Sequence, residues 1–434
     1  MAQRPFARKI CAATLGPTCI DLLRADISVL DSDVAGHDAY LHQCADSYGD
    51  WRRIRAVKKH AWRGSGNEPR FAWLVTFSVL SLENLWHLLH IILPARVRLH
   101  SMEQELGLSK DSLELVIDGL AQHGSPVAKA GVLRASLAWR FIKLLSNRRP
   151  VVLGAPAAEG GSRYRCYTNA WWGHEAVTLF GRDKGGLGTE IVRGAIDAVR
   201  TSPVFLHMLP NALLESHFFG ASDLVSSQTG FPWRLLYVSR PQNARRAISN
   251  EDQVLQVLHR FRDQGRSRVA HVDFSAEALV SNVAVQLRLA SVADVFVGPH
   301  GAGLAWSAFM AKGRVLIELM PQMQALHQQL CRSSDWDSTP MYAYGGLSLL
   351  AGIRHVCVLG SRSEPQMPES RASETAILAQ ELATWHSSAI RMDATFLEHI
   401  LEESFAYLDS LHNAQRTCPL QHSDLKSCAG EAKM

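Results

Sequence analysis

Short apolar runs alternate with amphipathic stretches through the middle of the chain. Residues 72–79 are mostly apolar and predict a buried strand, and residues 81–92 carry leucine and isoleucine at helical spacing. The pattern continues with a predicted strand at 113–119, a helix at 133–145 and a short strand at 150–154. This alternation is typical of an α/β layer built on a parallel sheet.

A second region of the same kind begins near Pro232. Strands are predicted at residues 234–240, 269–274, 294–297 and 315–320, with helices at 253–261 and 277–290. Further helices are predicted at 373–385 and 394–411, whereas 361–370 and 417–434 are typical of a linker and a tail. Residues 1–50 show no sustained period, although residues 27–30 are strand-like.

The length of the chain, 434 residues, allows two or three domains that each bury a core. We predict an N-terminal segment with a basic arm at 1–70, α/β domains at 71–205 and 206–365, and C-terminal helices with a tail at 366–434. The composition, 47% hydrophobic and 20% charged, is that of an ordinary globular protein and excludes wholesale disorder and coiled coil.

Charge and cysteine usage narrow the function classes. The net charge of +4, from 45 basic and 41 acidic residues, is too small for the molecule as a whole to bind nucleic acid. The eight cysteines contain no C-x-x-C pair, which argues against a zinc module and a disulfide-dense scaffold. The presence of one or two disulfides is compatible with this pattern.

Residues 51–70 form a basic stretch in which Trp51 and Trp62 are interleaved. Such a run is usually a solvated arm or helix face, and the alternative is binding to single-stranded nucleic acid or anionic lipid. We favour the solvated arm, and so predict no nucleic acid partner.

No signal peptide or membrane anchor is visible in the sequence. Residues 71–95 are the best candidate for a membrane span, but their middle carries polar side chains whose burial in hydrocarbon is costly. These side chains are Glu83, Asn84, His87 and His90. Membrane association is therefore not predicted.

The segment VGPHGAGL at residues 297–304 is the most informative part of the chain. A strand-like run enters it, a short helix at 305–310 leaves it, and a strand with Glu318 follows. Glycines between a strand and a helix let backbone N–H groups approach an anion, and the helix dipole adds partial positive charge. The pattern is neither G-x-G-x-x-G nor a Walker loop, so a diphosphate site and a simple turn both stay open.

His300 and Glu318 sharpen the hypothesis of a phosphate site. An imidazole beside a phosphate cradle can donate to a leaving-group oxygen, and a carboxylate near a strand end can accept two sugar hydroxyls. The alternatives are a structural histidine that holds the loop and an exposed glutamate at a strand end.

Several segments together are similar, in type and order, to the motifs of one family. They are NLWH at 84–87, the stretch from Cys166 to Gly173, YVSR at 237–240, ARRAI at 244–248, NE at 250–251, ADVFVGPHGAGL at 293–304, FM at 309–310 and VLIELMP at 315–321. The chain thereby resembles glycosyltransferase family 61. That family contains protein O-linked N-acetylglucosamine transferases and plant xylan xylosyl- and arabinosyltransferases. The HGAGL run with its glutamate is the specific match.

The resemblance implies a GT-B fold, in which two Rossmann-like domains with parallel sheets face each other across a cleft. The domain at 71–205 would take the acceptor and the domain at 206–365 the nucleotide sugar. The implied reaction is inverting transfer of N-acetylglucosamine or a pentose such as xylose from a UDP-sugar to a hydroxyl of a glycoprotein or polysaccharide. It implies no cofactor and no metal, and it suggests the lumen of the endoplasmic reticulum or Golgi.

The resemblance also implies site residues on both sides of the reaction. The implied donor-binding residues are Arg240, Arg245, Arg246, Asn250, His300, Gly301, Ala302, Gly303, Leu304 and Glu318. Arginines suit this role because they compensate a diphosphate without a metal ion. On the acceptor side, His87 or His90 is the implied catalytic base, and Asn84 could orient one of them by an amide hydrogen bond.

Two features leave alternatives open. Family members commonly carry an aspartate four residues after the histidine, where this chain has Ile91, so a catalytically impaired nucleotide-sugar-binding relative is an alternative. An interaction protein that uses the basic arm is a third. Two D-x-D matches, at 31–33 and 335–337, would suit a metal-dependent enzyme, but about one match is expected by chance.

Overall fold

The computed structural model describes residues 10–21, 26–29, 54–56, 71–76, 84–109, 111–118, 137–142, 145–148, 150–152, 164–175, 194, 196–197, 200, 217–219, 232–276, 279, 282–321, 344–362 and 388–417. The chain divides into two compact units. The first is Met1–Leu179 with Asp183–Val204, and the second is Phe180–Arg182 with Phe205–Met434.

The first unit contains a mixed β-sheet. Its strands are β1 (Ile10–Asp21), β2 (Asp26–Val29), β3 (Ile54–Ala56), β4 (Phe71–Thr76), β5 (Leu113–Asp118), β6 (Val151–Val152) and β7 (Tyr164–Glu175). Their order in the sheet is β3-β2-β1-β7-β4-β5-β6. The pairs from β7 to β6 and the pair β2–β3 are parallel, whereas β1 runs antiparallel to both β2 and β7. The expected parallel layer is therefore present in the β7-β4-β5-β6 part of this sheet.

Two helices, α1 (Leu85–Leu106) and α2 (Leu137–Ile142), accompany this sheet. Helix α1 begins after Asn84, whose carbonyl oxygen accepts the Leu88 N–H at 3.0 Å. Gly107, with φ +63°, follows its last residue in the left-handed conformation that commonly ends a helix. A buried apolar stripe runs the length of α1 and comprises Leu85, Leu88, Leu89, Ile92, Leu93, Ala95, Leu99 and Met102.

The second unit is built on a largely parallel sheet. Its strands are β8 (Trp233–Val238), β9 (Ser267–Val272), β10 (Val295–Pro299), β11 (Val315–Pro321), β12 (Arg354–Arg362) and β13 (Ile390–Arg391). The order is β13-β12-β11-β10-β8-β9, and β13 alone among these runs antiparallel to its neighbour. Every residue of β10 and β11 is buried, as expected of central strands covered on both faces.

Helices cover both faces of this sheet. They are α3 (Glu251–Asp263), α4 (Val283–Val292), a 3₁₀ helix (Ala302–Phe309), α5 (Tyr344–Ala351) and α6 (Ala394–Thr417). On one face, residues of α3 and α6 share a core with Leu235 and Val297, and the rings of Phe261 and Phe405 lie 5.2 Å apart. Leu236 alternates with Leu235 along β8 and is also fully buried, outside that core.

The connections create a switch point between β8 and β10. From β8 the chain passes through α3 to β9 on one side, and from β9 through α4 to β10 on the other side of β8. Loops that leave neighbouring strands in opposite directions open a crevice at the carboxyl ends of those strands, where ligands of α/β proteins commonly bind. The fold therefore directs attention to the residues that follow Val238 and Pro299.

The prediction of an α/β protein with parallel strand pairs is confirmed, and several elements differ from expectation. Helix α1 continues well beyond residue 92, because its buried stripe extends on both sides of Pro94 and outweighs one lost hydrogen bond. Strands β1, β3, β7, β12 and β13 and helix α5 were not predicted. The helix predicted at 373–385 and most of the basic stretch at 51–70 lie outside the described residues.

The apolar stretch at 71–95 divides into β4 and the start of α1. Within the described part of the chain, no helix has the length and apolar character needed to cross a membrane.

Asp294 ties together the amino ends of three strands and provides a test of this architecture. Its side chain is 4% exposed, accepts the Arg234 N–H at 2.8 Å, and pairs with the guanidinium groups of Arg234 and Arg314, each at 3.1 Å. We expect Asp294→Ala to lower the free energy of unfolding by about 3 kcal/mol, because it leaves the partly buried donors of Arg234 and Arg314 without their acceptor. Asp294→Asn still accepts the backbone N–H and should lose less. Urea unfolding of both variants checks this, and equal stability of Ala and wild type would contradict it.

Candidate active site

The carboxyl ends of β8, β10 and β11 bring candidate residues together. Arg240 lies two residues beyond β8, and His300 directly follows β10. Glu318 lies within β11, opposite Gly298 in the parallel register. The His300 N–H donates to the Leu319 carbonyl at 2.8 Å, which holds the start of the glycine-rich turn against β11. The sheet thus places an arginine, a histidine and a glutamate at one edge.

Glu318 is held between two histidines. Its Oε1 is hydrogen-bonded to His300 Nδ1, and its Oε2 to His355 Nε2 at 2.7 Å. The side chain of Glu318 has no exposed surface, and those of His300 and His355 are 12% and 2% exposed. The proposed contact of Glu318 with sugar hydroxyls stays a prediction, and in this arrangement both carboxylate oxygens are engaged by imidazoles.

The two histidines keep this buried carboxyl ionised. Burial by itself would raise the pKa of Glu318, but the charges and hydrogen bonds of His300 and His355 lower it to about 2. The site therefore contains a fixed negative charge beneath the glycine-rich turn.

The glycine-rich turn is shaped by Arg240 and Tyr344. A Cβ added at Gly301 would overlap the guanidinium group of Arg240, lying 2.8 Å from its Cζ. The Gly301 carbonyl accepts the hydroxyl of Tyr344 at 2.6 Å and the N–H of Leu304 at 2.9 Å. The second bond opens the 3₁₀ helix, so the helical turn begins at Ala302 rather than at the predicted residue 305.

The turn also presents backbone donors. Ala302 and Gly303 lie in the first turn of the 3₁₀ helix, where N–H groups point out of the amino end. Leu304 is buried and packs its Cδ2 near Gly298, where an added Cβ would lie 3.1 Å away. Leu304 therefore holds the turn against β10, and the proposed contact of Ala302 and Gly303 with the donor stays a prediction.

Two of the three candidate arginines converge on this turn. Arg240 donates from Nη1 to the Arg245 carbonyl at 2.9 Å, so Arg245 contributes its backbone while its side chain is exposed. Arg246 adopts a left-handed backbone conformation with φ +60°. Its charge interacts with those of Arg240 and Glu318, which places it in the same cluster.

Burial disfavours the charged form of both Arg240 and Arg246. Burial and, to a smaller extent, the neighbouring Arg240 lower the pKa of Arg246 to about 10, although Tyr344 and Glu318 act in the opposite direction. Burial likewise lowers the pKa of Arg240, opposed by Tyr344 and Asp273. Two partly desolvated cations side by side are the arrangement that an anionic ligand stabilises.

Asn250 has a structural role that the sequence did not indicate. Its Oδ1 accepts the Met392 N–H at 2.9 Å, and its Nδ2 donates to the Met392 carbonyl at 2.8 Å and to Gln253 Oε1 at 2.7 Å. The residue thus joins the start of α3 to the segment after β13. Its proposed contact with the donor stays a prediction.

The acceptor-side candidates lie in the first unit. Asn84 immediately precedes α1, and His87 and His90 belong to the first two turns of that helix. The helical period puts positions 87 and 90 on the side of α1 away from the buried leucine stripe. The side chains of the two histidines lie outside the described part of the chain.

Sequence reasoning missed Tyr344 and His355. Tyr344 follows a stretch without any regular pattern, and His355 is a lone histidine in the apolar run of β12, a pattern that usually indicates a satisfied core residue. Both D-x-D matches fall outside the described residues, and no group of three or more metal-ligating side chains occurs within them.

Comparison with known proteins decides the family. The family model for glycosyltransferase 61 matches residues 86–317, more than half of the chain. This chain belongs to glycosyltransferase family 61. It is therefore a glycosyltransferase, and its general substrates are a sugar donor and a glycan or protein acceptor. The resemblance seen in the HGAGL segment is confirmed, since the match includes residues 297–304.

Other comparisons add little about this family 61 chain. No curated protein sequence matches it significantly. Among solved structures, it is similar to the TT0316 protein from Thermus thermophilus at 12% identity, over 78% of this chain and 97% of that one, with a TM-score of 0.19.

The Glu318 carboxylate makes a pH-dependent contribution to stability. Its pKa falls from 4.5 to about 2 on folding, so the stabilisation is complete above pH 4.5 and is lost as the pH falls towards 2. We expect the difference in unfolding free energy between wild type and Glu318→Gln to shrink by about 3 kcal/mol between about pH 5 and pH 2. Denaturant titrations across this range measure it, and a constant difference would contradict the buried anion.

Proposed function

We propose that this glycosyltransferase moves N-acetylglucosamine or a pentose such as xylose from a UDP-sugar to a hydroxyl of a glycoprotein or polysaccharide. The transfer inverts the anomeric centre and requires no metal ion. The observation that carries the proposal is the pair Arg240 and Arg246, partly desolvated beside the glycine-rich turn at the switch point of the sheet.

The arginine pair suits a diphosphate. Its two positively charged guanidinium groups repel each other. A bound dianion would offset that repulsion and accept charge-assisted hydrogen bonds from both groups. The N–H groups of Ala302 and Gly303 at the amino end of the 3₁₀ helix add donors for the same phosphates. These groups supply the compensation that a metal ion provides in D-x-D enzymes.

His300 suits the leaving group. Glu318 engages its Nδ1, so Nε2 is the nitrogen on the opposite side of the ring. From there the imidazole could donate a hydrogen bond to a phosphate oxygen as negative charge develops. Such a donor lowers the barrier only if it is stronger in the transition state than in the bound donor.

For the acceptor, the proposal includes the GT-B arrangement, in which the first unit supplies a base to the donor site of the second. His87 or His90 removes the proton of the acceptor hydroxyl, the hydroxyl oxygen bonds to the anomeric carbon, and the bond from that carbon to the phosphate oxygen breaks. UDP leaves with the electron pair of that bond. A single displacement of this kind inverts the anomeric centre.

The arginine assignment yields a matched pair of variants. Arg246→Gln should weaken UDP-sugar binding by about 1.5 to 3 kcal/mol, in line with the loss of a charge-assisted hydrogen bond to phosphate. The adjacent Arg245→Gln should bind as wild type does, because the Arg245 side chain is exposed and only its carbonyl contacts Arg240. Isothermal titration calorimetry with UDP and several UDP-sugars measures both.

The titrations should be made in excess chelator, which the proposal predicts to be harmless. Equal affinities of the two variants would show that the arginine cluster does not hold the donor. A strict requirement for Mn²⁺ would instead support a metal-dependent site at one of the D-x-D segments.

The acceptor side yields a second prediction. His87→Ala should retain UDP-sugar binding and lose transfer by about 10²- to 10⁴-fold, as expected when a general base is removed. His90→Ala is the matched control on the same helix and separates the two candidates. Transfer to the acceptor is measured by the release of UDP.

Loss of transfer in one variant alone would identify that histidine as the base. Wild-type turnover in both variants would mean that the base is another residue. Binding without any transfer or donor hydrolysis in the wild-type chain would favour the catalytically impaired relative, and Ile91→Asp is then the test for restored activity.

A further inference from the structure

The environment of His355 differs from that of an ordinary core histidine. The residue lies on β12, next to β11, and its Nε2 is 2.7 Å from Glu318 Oε2. Its side chain is 2% exposed. Side chains alternate along a strand, so His355 shares its sheet face with the buried Cys357, whereas Val356 and Val358 belong to the apolar core on the other face. A buried imidazole aimed at a buried carboxylate calls for an explanation.

The hydrogen bonds of His355 specify its tautomer. Its Nδ1 is buried and has no hydrogen-bond partner among the described residues. A proton on Nδ1 would therefore leave a buried donor unsatisfied, which is more costly than an unfilled acceptor of a neutral ring. His355 thus carries a proton on Nε2 and donates it to Glu318 Oε2.

His355 occupies Oε2 of Glu318 and fixes the plane of the carboxylate from the β12 side. The other oxygen, Oε1, then accepts from His300 Nδ1 in a defined direction. The ring of Tyr344, 5.5 Å from that of His300, limits the imidazole on another side.

We propose that His355 is a positioning residue of the donor site, which fixes Glu318 so that Glu318 holds His300 with Nε2 directed at the donor diphosphate. The inference rests on the proposed function for the diphosphate, but the relay from His355 through Glu318 to His300 stands on the hydrogen bonds alone. The three residues of the relay lie on β12, on β11 and directly after β10, which are neighbouring strands of the sheet.

The relay can be tested with substitutions of His355 that either keep or remove a hydrogen-bond donor to Glu318 Oε2. The amide nitrogen of glutamine can occupy the place of histidine Nε2, whereas phenylalanine keeps a ring and removes the donor. We expect His355→Phe to lower kcat/KM for transfer by about 10- to 100-fold, as is common when an outer hydrogen-bond partner of a functional histidine is lost. His355→Gln should recover most of that loss. His399→Phe, at a histidine on α6 that is 62% exposed, is the control for the substitution itself.

A spectroscopic measurement makes the test independent of catalysis. In protein labelled with ¹⁵N-histidine, a proton shared between His300 Nδ1 and Glu318 gives a far-downfield resonance. We expect it in wild type, His399→Phe and His355→Gln, and expect it to be lost or broadened in His355→Phe. If the wild-type chain binds no nucleotide sugar, the proposed function fails, and this resonance still decides whether the relay exists.

A purely structural role would give a different result. His355→Phe would then lower the unfolding temperature while kcat, KM and the downfield resonance of the folded protein stayed at wild-type values, and that would overturn the proposal. If the phenylalanine variant does not fold, His355→Asn replaces it, because its shorter amide cannot reach Glu318 Oε2. Equal activity of the Asn and Gln variants would also overturn the proposal.

Discussion

The candidate site depends on one ionised carboxyl group buried in the centre of a parallel sheet. Glu318 sits in β11 with no exposed surface, and burial alone would favour its neutral form. Histidines on both sides reverse that preference. A charge at such a position constrains its neighbours, because each must supply a donor and keep it in place. His300, His355 and the turn between β10 and the 3₁₀ helix are arranged around that requirement.

The same strands carry a second buried carboxylate at their opposite ends. Asp294 precedes β10 and joins Arg234 and Arg314, so its charge is neutralised locally by two cations. At the other end, Arg240 and Arg246 lie side by side, and burial lowers the pKa of both. One end of the sheet therefore carries a closed ion-pair cluster, and the other gathers two mutually repelling cations where the loops open. That asymmetry sets the structural ion-pair cluster apart from the end where we propose that the donor binds.

Local pattern predicted the elements whose residues carry a clear period or a distinctive turn, including β4, β8, β10, β11 and α3. It missed β1, which contains Gly16 and Pro17 and shifts register against β7 at that point. Pairing of this kind is set by distant strands and leaves little trace in the local sequence. The site was predictable as far as Arg240, His300 and Glu318, which adjoin recognisable strands. The supporting Tyr344 and His355 come from elements separated by long stretches, and only the fold brings them near.

The packing of Arg240 against Gly301 has an evolutionary consequence. Glycine in such a loop is readily attributed to the approach of a ligand, yet here a protein side chain occupies the volume that a Cβ would need. Residue 301 can acquire a side chain only where residue 240 becomes smaller or turns away. An arginine at position 240 should therefore always be accompanied by glycine at 301 in homologous chains, and the φ of +159° at Gly301 favours glycine even where the arginine is replaced.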